Sequence, residues 1–482
     1  MPSRKRKSEE NHAHAGTEHT IRSIPIRGGR PAVQRDSSLN EAPTQGLTVL
    51  IFGTGDCGEL GLGPVTKEVR RPRIMQSLNP ENENSYRVVQ LDTGGMHVVA
   101  LTADNKIVTW GVNDKGALGR DTEWEGRLRD ADVDMSDDDD SDDLNPVEST
   151  PTDIPADSFP PNTTFTQVAA GDNASFAITD TGLVYGWGTF LNTEGHEGFC
   201  FDANGSFIKL QRRPFLIPGL KDITSITCGA NHALALDARG RIWAWGVGEQ
   251  NQLGRRIMPR RVMESYVPHQ VEVCRHGAKA IAAGSYHSFA VDKLDNVWGW
   301  GLNSFGQAGY AKYAGDPSNT FVPYPMKIPG LCGQGIKMVS GSAHHSAAVA
   351  QDGRCLVWGR LDGGQLGVKL SAEQLDDDSL VRRDERGRPR ICLRPVTVSQ
   401  VGQTSYVDCG SGHTVFVGSD GKARSSGFGT MYQLGLGSDD DVETAQLIFN
   451  KAVRDRVLTW AGTGGQFSMV AGPAWDTGSG TS

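Results

Sequence analysis

The sequence predicts an all-β fold: a seven-bladed β-propeller closed by pairing of its N- and C-terminal half-repeats, with a disordered basic N-terminal tail. Three observations carry this. Sixty glycines and ten tryptophans in 482 residues favour many tight turns between short aromatic-rich strands over helices. A β-run, a glycine and a second glycine-ended turn recur in one order, as in "IVTWGVNDKGALG", "LVYGWGTFLNTEG", "RIWAWGVGEQNQLG", "NVWGWGLNSFGQAG", "CLVWGRLDGGQLG" and "ARSSGFGTMYQLG". The chain also enters this pattern halfway through one unit and leaves it halfway through another.

The recurring element begins with "VLIFGTGDCGELGLG", Val49 to Gly63, which taken alone matches the glycine fingerprint of dinucleotide-binding folds. That fingerprint needs a following helix and, about 20 residues on, an acidic residue for a ribose. Instead "PVTKEVRRPRIMQ" follows, with a proline at once and arginines near the required position. The stretch is therefore the first repeat, not a nucleotide site. Its anchor glycines, Gly53, Gly111, Gly188, Gly246, Gly301, Gly359 and Gly427, are separated by 58, 77, 58, 55, 58 and 68 residues, a propeller-sized period. The two long intervals hold an acidic insert at about 121–153 and a charged insert at about 371–390, as expected of surface loops.

Upstream of each anchor lies a second element, such as "TGGMHVVAL", "CGANHALAL" and "AGSYHSFAV", which reads as an inner strand opened by a glycine turn. Six units carry both elements. The chain starts at "VLIFG" with only the later one and ends at "WAGTGGQFSMVAG" with only the earlier, so the two halves make a seventh unit and pairing them removes the exposed sheet edges. The expected organisation is a disordered basic tail at 1–46, the propeller at 47–473 and a flexible C-terminus at 474–482.

Charge is segregated within a net of −9. Up to Arg35 there are eight Lys and Arg against three Glu, whereas "DADVDMSDDDDSDD" spans residues 130 to 143; neither segment has the hydrophobic periodicity of a packed element. The eight cysteines are scattered with no C-x-x-C pair, and no apolar leader opens the chain, which suggests unpaired thiols in a reducing compartment. No run approaches the roughly 18 apolar residues of a membrane span, so no membrane association is expected. No H-E-x-x-H, phosphate loop or nucleophile triad is present, so neither covalent catalysis nor a cofactor is expected. His97, His232, His287, His345 and His413 occupy one fixed position in their units, which points to a structural task, hydrogen bonding to nearby backbone, repeated around the ring. Ala174 and Phe467 stand there in two units, so the task is dispensable in a given blade, and five histidines on five blades do not make a metal site.

The repeat, together with "GGMH", "GVNDKGALGRDT" and "AAGDNASFAITDTGLVYGWGTF", resembles the regulator of chromosome condensation family over roughly Leu47 to Pro473. The finer similarity is to its chromatin-bound guanine-nucleotide exchange factor for the small GTPase Ran, which implies a nuclear protein acting in nucleocytoplasmic transport and mitosis. An adaptor or chromatin-binding module without exchange activity is the alternative, because fold alone does not fix function.

The resemblance implies specific residues. Asp56, Asp172, Asn231 and His344 match positions lining the surface that receives Ran, although Asn231 stands where the family commonly has Asp. Read from the residues alone, Asp and Asn are also ordinary turn formers. Phe190, Leu191, Asn192, Thr193 and Glu194 match a β-wedge that projects toward the GTPase's nucleotide site. Arg255, Arg256, Arg260 and Arg261 match a switchback loop that meets the acidic patch of the nucleosome; four guanidiniums suit an acidic protein surface or DNA phosphates. Arg4, Lys5, Arg6 and Lys7 read as an importin-recognised nuclear signal, a nonspecific DNA contact, or both.

Overall fold

The computed structural model describes residues 38–124 and 144–474. Seven antiparallel sheets form the blades of a propeller, six of four strands and one of five. Blade 1 is typical, with strands Val88–Thr93, His97–Thr102, Ile107–Gly111 and Thr152–Asp153 from the axis outward. Later blades repeat it, their first strands being Phe165–Ala170, Ile223–Cys228, Ala278–Ala283, Ile336–Gly341 and Thr404–Cys409. Blade 7 combines Trp460–Thr463 and Phe467–Pro473 with Leu47–Thr54 and Glu68–Ile74, and seven residue pairs from Leu47↔Pro473 to Gly53↔Phe467 join the two ends of the chain. Ring closure by the split repeat is as expected.

The first strands of successive blades pack side by side around the axis. The glycine-opened strands read as inner strands are second from it, because the axial strand precedes the glycine turn. Each anchor glycine is the last or next-to-last residue of a third strand, with φ between +93° and +117°. At Gly111 an added Cβ would come within 2.4 Å of Met96 O and 2.7 Å of His97 Cα, so no side chain fits. The next residue then donates its N–H to the carbonyl before the second strand, as in Thr189 to Asn173 at 2.9 Å and Val247 to Asn231 at 2.8 Å. The loops after the third strands thus share one end of the ring with the turns between first and second strands.

The repeat histidines are fully buried, and their partner differs from the expected nearby backbone. Each Nε2 meets a hydroxyl on the next blade: His97 with Ser175 at 2.7 Å, His232 with Ser288 at 2.8 Å, His287 with Ser346 at 2.9 Å, His345 with Thr414 at 2.7 Å and His413 with Ser468 at 2.8 Å. The hydroxyls donate onward to the carbonyls of Ala117, Gln252, Gln307, Gln365 and Gln433, each two residues before the glycine that ends its turn. A hydroxyl that donates to a carbonyl accepts from the imidazole, so Nε2 carries the hydrogen. Trp187, Trp300 and Trp358 donate to the Ala117, Gln252 and Gln307 carbonyls as well. Burial pushes the imidazole pKa values down, to about 4 for His97 and His413 and about 3 for the other three, which keeps the rings neutral. Gly229 and Gly284 stand three residues before their histidines, where a Cβ would lie 2.2 Å from the ring as it is placed in these blades. In blade 5 the equivalent residue is Ser342, whose hydroxyl meets His345 Nδ1 at 2.8 Å.

Two interfaces lack this lock, and both lose it on both sides. Between blades 2 and 3, Ala174 faces an interface where Ala233 replaces the hydroxyl; between blades 7 and 1, Phe467 and Val98 stand in the two positions. All four are fully buried, so an apolar contact takes the place of the polar one.

Segments expected to be irregular are partly built into the blades. Leu39 and Asn40 donate backbone N–H to Asp180 O at 2.7 and 2.9 Å, and Asn40 Nδ2 donates to Thr179 O and Ile223 O, so 38–46 belongs to the ordered body and not to a disordered tail. In the first insert, Thr152–Asp153 forms the outer strand of blade 1. The second insert folds into a short helix, Ala372–Leu375, capped by Ser371, and a fifth strand on blade 5, Val381–Arg383. The acidic run of 130 to 143, the residues after 474 and the basic stretch before 38, including Arg4, Lys5, Arg6 and Lys7, lie outside the described residues.

Ser288→Ala removes one lock while leaving the His232 N–H buried without an acceptor. We expect a loss of about 1–3 kcal/mol, read as a lower thermal midpoint, and a Ser288→Thr variant close to wild type. An unchanged midpoint in Ser288→Ala would contradict the lock.

Candidate functional site

The loop-bearing end of the ring gathers the expected residues. Turns between first and second strands meet there and are hydrogen-bonded to one another: Asp172 N to Ala230 O, Ala230 N to Ser285 O, Ser285 N to Ser342 O, each at 3.1 Å, and Gly465 N to Gly95 O at 2.8 Å. They rim a cavity of about 540 Å³ along the axis. Asp172 is solvent-accessible at this rim, yet turns crowd it enough that burial pushes its pKa up to about 6. Its carboxylate lies over Gly95, where a Cβ would stand 2.9 Å from Oδ1. The second glycine of "TGGMH" thus leaves room for the acid.

His344 is half-buried in the blade 5 turn. Its ring meets Phe305 edge-on with centroids 4.9 Å apart, and burial followed by the nearby Arg360 charge lowers its pKa. Arg360 and Arg390 lie over the same Phe305 ring at 5.5 and 5.2 Å, and Arg360 pairs with Asp362 at 2.6 Å. Sequence reasoning missed Phe305, Arg360 and Arg390. The available signal was an aromatic residue in "LNSFGQAG", at a loop position that is Lys115 in "NDKGALG" and Gly363 in "LDGGQLG". Asp56 is exposed on the loop after Leu47–Thr54.

The wedge segment is a β-hairpin in which Phe190 pairs with Gly198 and Leu191 with Glu197. Its tip is closed by Asn192, whose Oδ1 accepts from Glu194 N at 3.1 Å and His196 N at 2.7 Å. Thr193 and Glu194 are exposed. Phe190 is not: it is fully buried, stacked at 6.1 Å on Phe176 and 6.0 Å on Phe199, and so anchors the hairpin instead of projecting from it. Here the hairpin replaces the usual glycine-ended turn. Among the described residues, Trp245, unlike Trp187, Trp300 and Trp358, then has no carbonyl for its indole N–H and packs edge-on against Phe176 at 5.5 Å. Asn231 also differs from expectation. Its Oδ1 accepts Leu191 N at 2.7 Å, which gives it a supporting role beneath the hairpin.

The arginine loop leaves blade 3 at the same end of the ring and rejoins its sheet at His269, opposite Ala244. Arg256, Arg260 and Arg261 are exposed, and Arg261 pairs with Glu264 at 3.6 Å. Arg255 is turned inward. Its Nη1 donates to Ala244 O at 3.1 Å and burial pushes its pKa down to about 10, as for Arg120, which donates to Thr109 O at the same place in blade 1. An arginine directly after the closing glycine of the turn braces its own third strand, so Arg255 is withdrawn from the exposed set.

Among the described residues, no group of three or more His, Cys, Asp or Glu could hold a metal ion, and no helix is long and apolar enough to cross a membrane. All eight cysteines are free. This arrangement defines a repeat propeller with one end that presents an acid, a half-buried histidine and an exposed hairpin tip.

Comparison with known proteins agrees. A family model described as the RCC1-like domain matches residues 48–470. The chain is 39% identical to the guanine nucleotide exchange factor SRM1 of Saccharomyces cerevisiae, covering 91% of this chain and 90% of that protein, and 28% identical to the human regulator of chromosome condensation, covering 88% and 90%. The crystal structure of Prp20p from Saccharomyces cerevisiae, a protein with binding properties toward Gsp1p and histones, superposes with a TM-score of 0.80 at 36% identity, over 92% of this chain and 96% of that one. Yeast RCC1 (Prp20) bound to Kap60 gives 0.80 at 35% identity, over 94% and 97%. The protein belongs to the regulator of chromosome condensation family.

A carbon-13 titration of the Asp172 carboxyl should give a midpoint near 6, and Gly95→Ala should disturb it. A midpoint near 4, the ordinary aspartate value, would mean that the turns do not crowd the group.

Proposed function

We propose that this protein is the guanine-nucleotide exchange factor for the small GTPase Ran, held on chromatin in the nucleus, where it promotes GDP release and RanGTP formation for nucleocytoplasmic transport and mitotic spindle function. The observation that carries this reading is the docking end itself, where Asp172, His344 and the exposed wedge tip stand on one hydrogen-bonded set of turns and loops. A relative named as a guanine nucleotide exchange factor supports it.

The mechanism requires no covalent step, and the protein is in that sense not an enzyme. A surface that binds nucleotide-free Ran more tightly than loaded Ran weakens nucleotide binding by the same factor, because binding free energies are linked. Lowering the release barrier by about 5.5 kcal/mol speeds release about 10⁴-fold. Asp172 is predominantly ionised above pH 6 and offers a carboxylate to a cationic or N–H donor, while His344 is neutral at pH 7 and offers an imidazole. Thr193 and Glu194 carry backbone and charge toward the nucleotide site. The nucleotide and its magnesium belong to Ran.

Chromatin attachment rests on Arg256, Arg260 and Arg261, which suit the acidic patch of the nucleosome, and on the basic tail, which suits DNA phosphates and an importin. The Saccharomyces cerevisiae relative's binding to histones and to Kap60 supports both.

Two sets of variants test the reading. Asp172→Ala with His344→Ala should slow exchange on Ran at least about tenfold, the effect of losing about 2 kcal/mol at an interface hot spot, without lowering the thermal midpoint. Equal rates at subsaturating protein would remove these residues from the interface. Reversing Arg256, Arg260 and Arg261 to Glu should abolish most nucleosome binding and leave exchange on free Ran intact; parallel loss of both activities would merge the two surfaces.

A further inference from the structure

The wedge has only two cross-strand residue pairs of its own, too few to hold a hairpin rigidly in water. Three contacts from neighbouring blades brace it. Asn231 Oδ1 accepts Leu191 N at 2.7 Å from the blade 3 turn. Glu249, on the loop after the third strand of blade 3, accepts Thr193 N at 3.0 Å through Oε2. Lys115, on the corresponding loop of blade 1, donates to Glu197 Oε1 at 2.8 Å. The braces come from both sides and reach the ascending strand, the tip and the descending strand.

We propose that Glu249 and Lys115 are positioning residues for nucleotide release: they hold the wedge tip in the orientation that displaces nucleotide, without themselves touching it. This rests on the exchange reading above. The physical argument concerns where the hairpin sits. It occupies the interface between blades 2 and 3, one of the two without a histidine lock, and replaces the turn whose carbonyl would otherwise join them. Its core side is fixed by Phe190 among Phe176 and Phe199, but nothing apolar holds the tip, where Thr193 through His196 are exposed. A charged acceptor on a backbone N–H is among the stronger single hydrogen bonds available to such a tip. Glu249 supplies it from "WGVGEQNQLG", one residue past the Gly248 that follows the third strand. An unbraced tip samples many conformations, and the cost of ordering it falls on the transition state for release.

The variants are Glu249→Ala, Glu249→Gln, Lys115→Ala and Lys115→Arg in the full chain, assayed with Ran carrying fluorescent GDP and excess GTP. Glu249→Ala should lower kcat about fivefold to tenfold, the upper part of the range for the net contribution of one ordinary hydrogen bond, with KM for Ran changed less than about twofold. Glu249→Gln keeps a side-chain oxygen acceptor and should restore most of kcat. Lys115→Ala should act in the same direction and Lys115→Arg should recover. Amide hydrogen exchange reads the brace without Ran: Thr193 N–H should be protected in the wild type and in Glu249→Gln and exposed in Glu249→Ala. Full kcat in Glu249→Ala, a loss that glutamine does not rescue, a loss confined to KM, or an unprotected wild-type Thr193 overturns the proposal. A wild type that does not accelerate release at all overturns the exchange reading with it; an active wild type with an equally active Glu249→Ala overturns only the brace.

Discussion

The ring depends on one buried contact made five times: a neutral imidazole donates to a hydroxyl on the next blade, and that hydroxyl donates to a loop carbonyl of the blade the imidazole came from. Each lock is a three-body connection that no single blade can satisfy. Burial makes it selective, since an imidazolium could not be solvated there and an unpaired donor would cost more than the bond contributes. Sheet edges contribute the rest of closure, through the seven residue pairs between the first and last strands of the chain.

The two interfaces without the lock show how a repeat fold makes room for function. At each, histidine and hydroxyl are lost together, so no buried polar group is left without its partner by the exchange. Between blades 2 and 3 the glycine-ended turn is lost as well, and the freed chain forms the wedge over a stack of phenylalanines. The residual cost is the Trp245 N–H, buried without an acceptor. The hairpin therefore belongs to the packing logic of that interface and not merely to a loop that happened to grow.

Much of the fold was legible in the sequence because its period is enforced by backbone geometry. An anchor glycine at φ near +100° with a strand backbone within 3 Å of its missing side chain admits no substitute, so the glycines mark every blade. The histidines were legible as structural, but their partners were not, because a hydroxyl 55 to 78 residues away leaves no local trace. The family resemblance placed Asp56, Asp172 and His344 on turns and loops that the structure leaves wholly or partly accessible. Those whose side chains turn inward were misplaced: Phe190 matches the wedge by position yet is pulled into the core by neighbouring phenylalanines, and Arg255 sits among loop arginines yet finds the Ala244 carbonyl. The bracing roles of Asn231, Glu249 and Lys115 needed coordinates, since each acts on a main-chain or side-chain group from another blade.

A rigid ring carrying a braced hairpin explains how exchange can proceed without any reacting group: the surface is already formed, and the nucleotide-free GTPase is the state that fits it. The most direct measurement of that claim is the affinity of the protein for nucleotide-free Ran compared with Ran saturated with GDP, by titration calorimetry or size-exclusion chromatography. The account predicts a stable one-to-one complex with nucleotide-free Ran that added GDP or GTP dissociates. Equal affinity for the two forms of Ran would contradict it, because a partner that does not distinguish them cannot drive release.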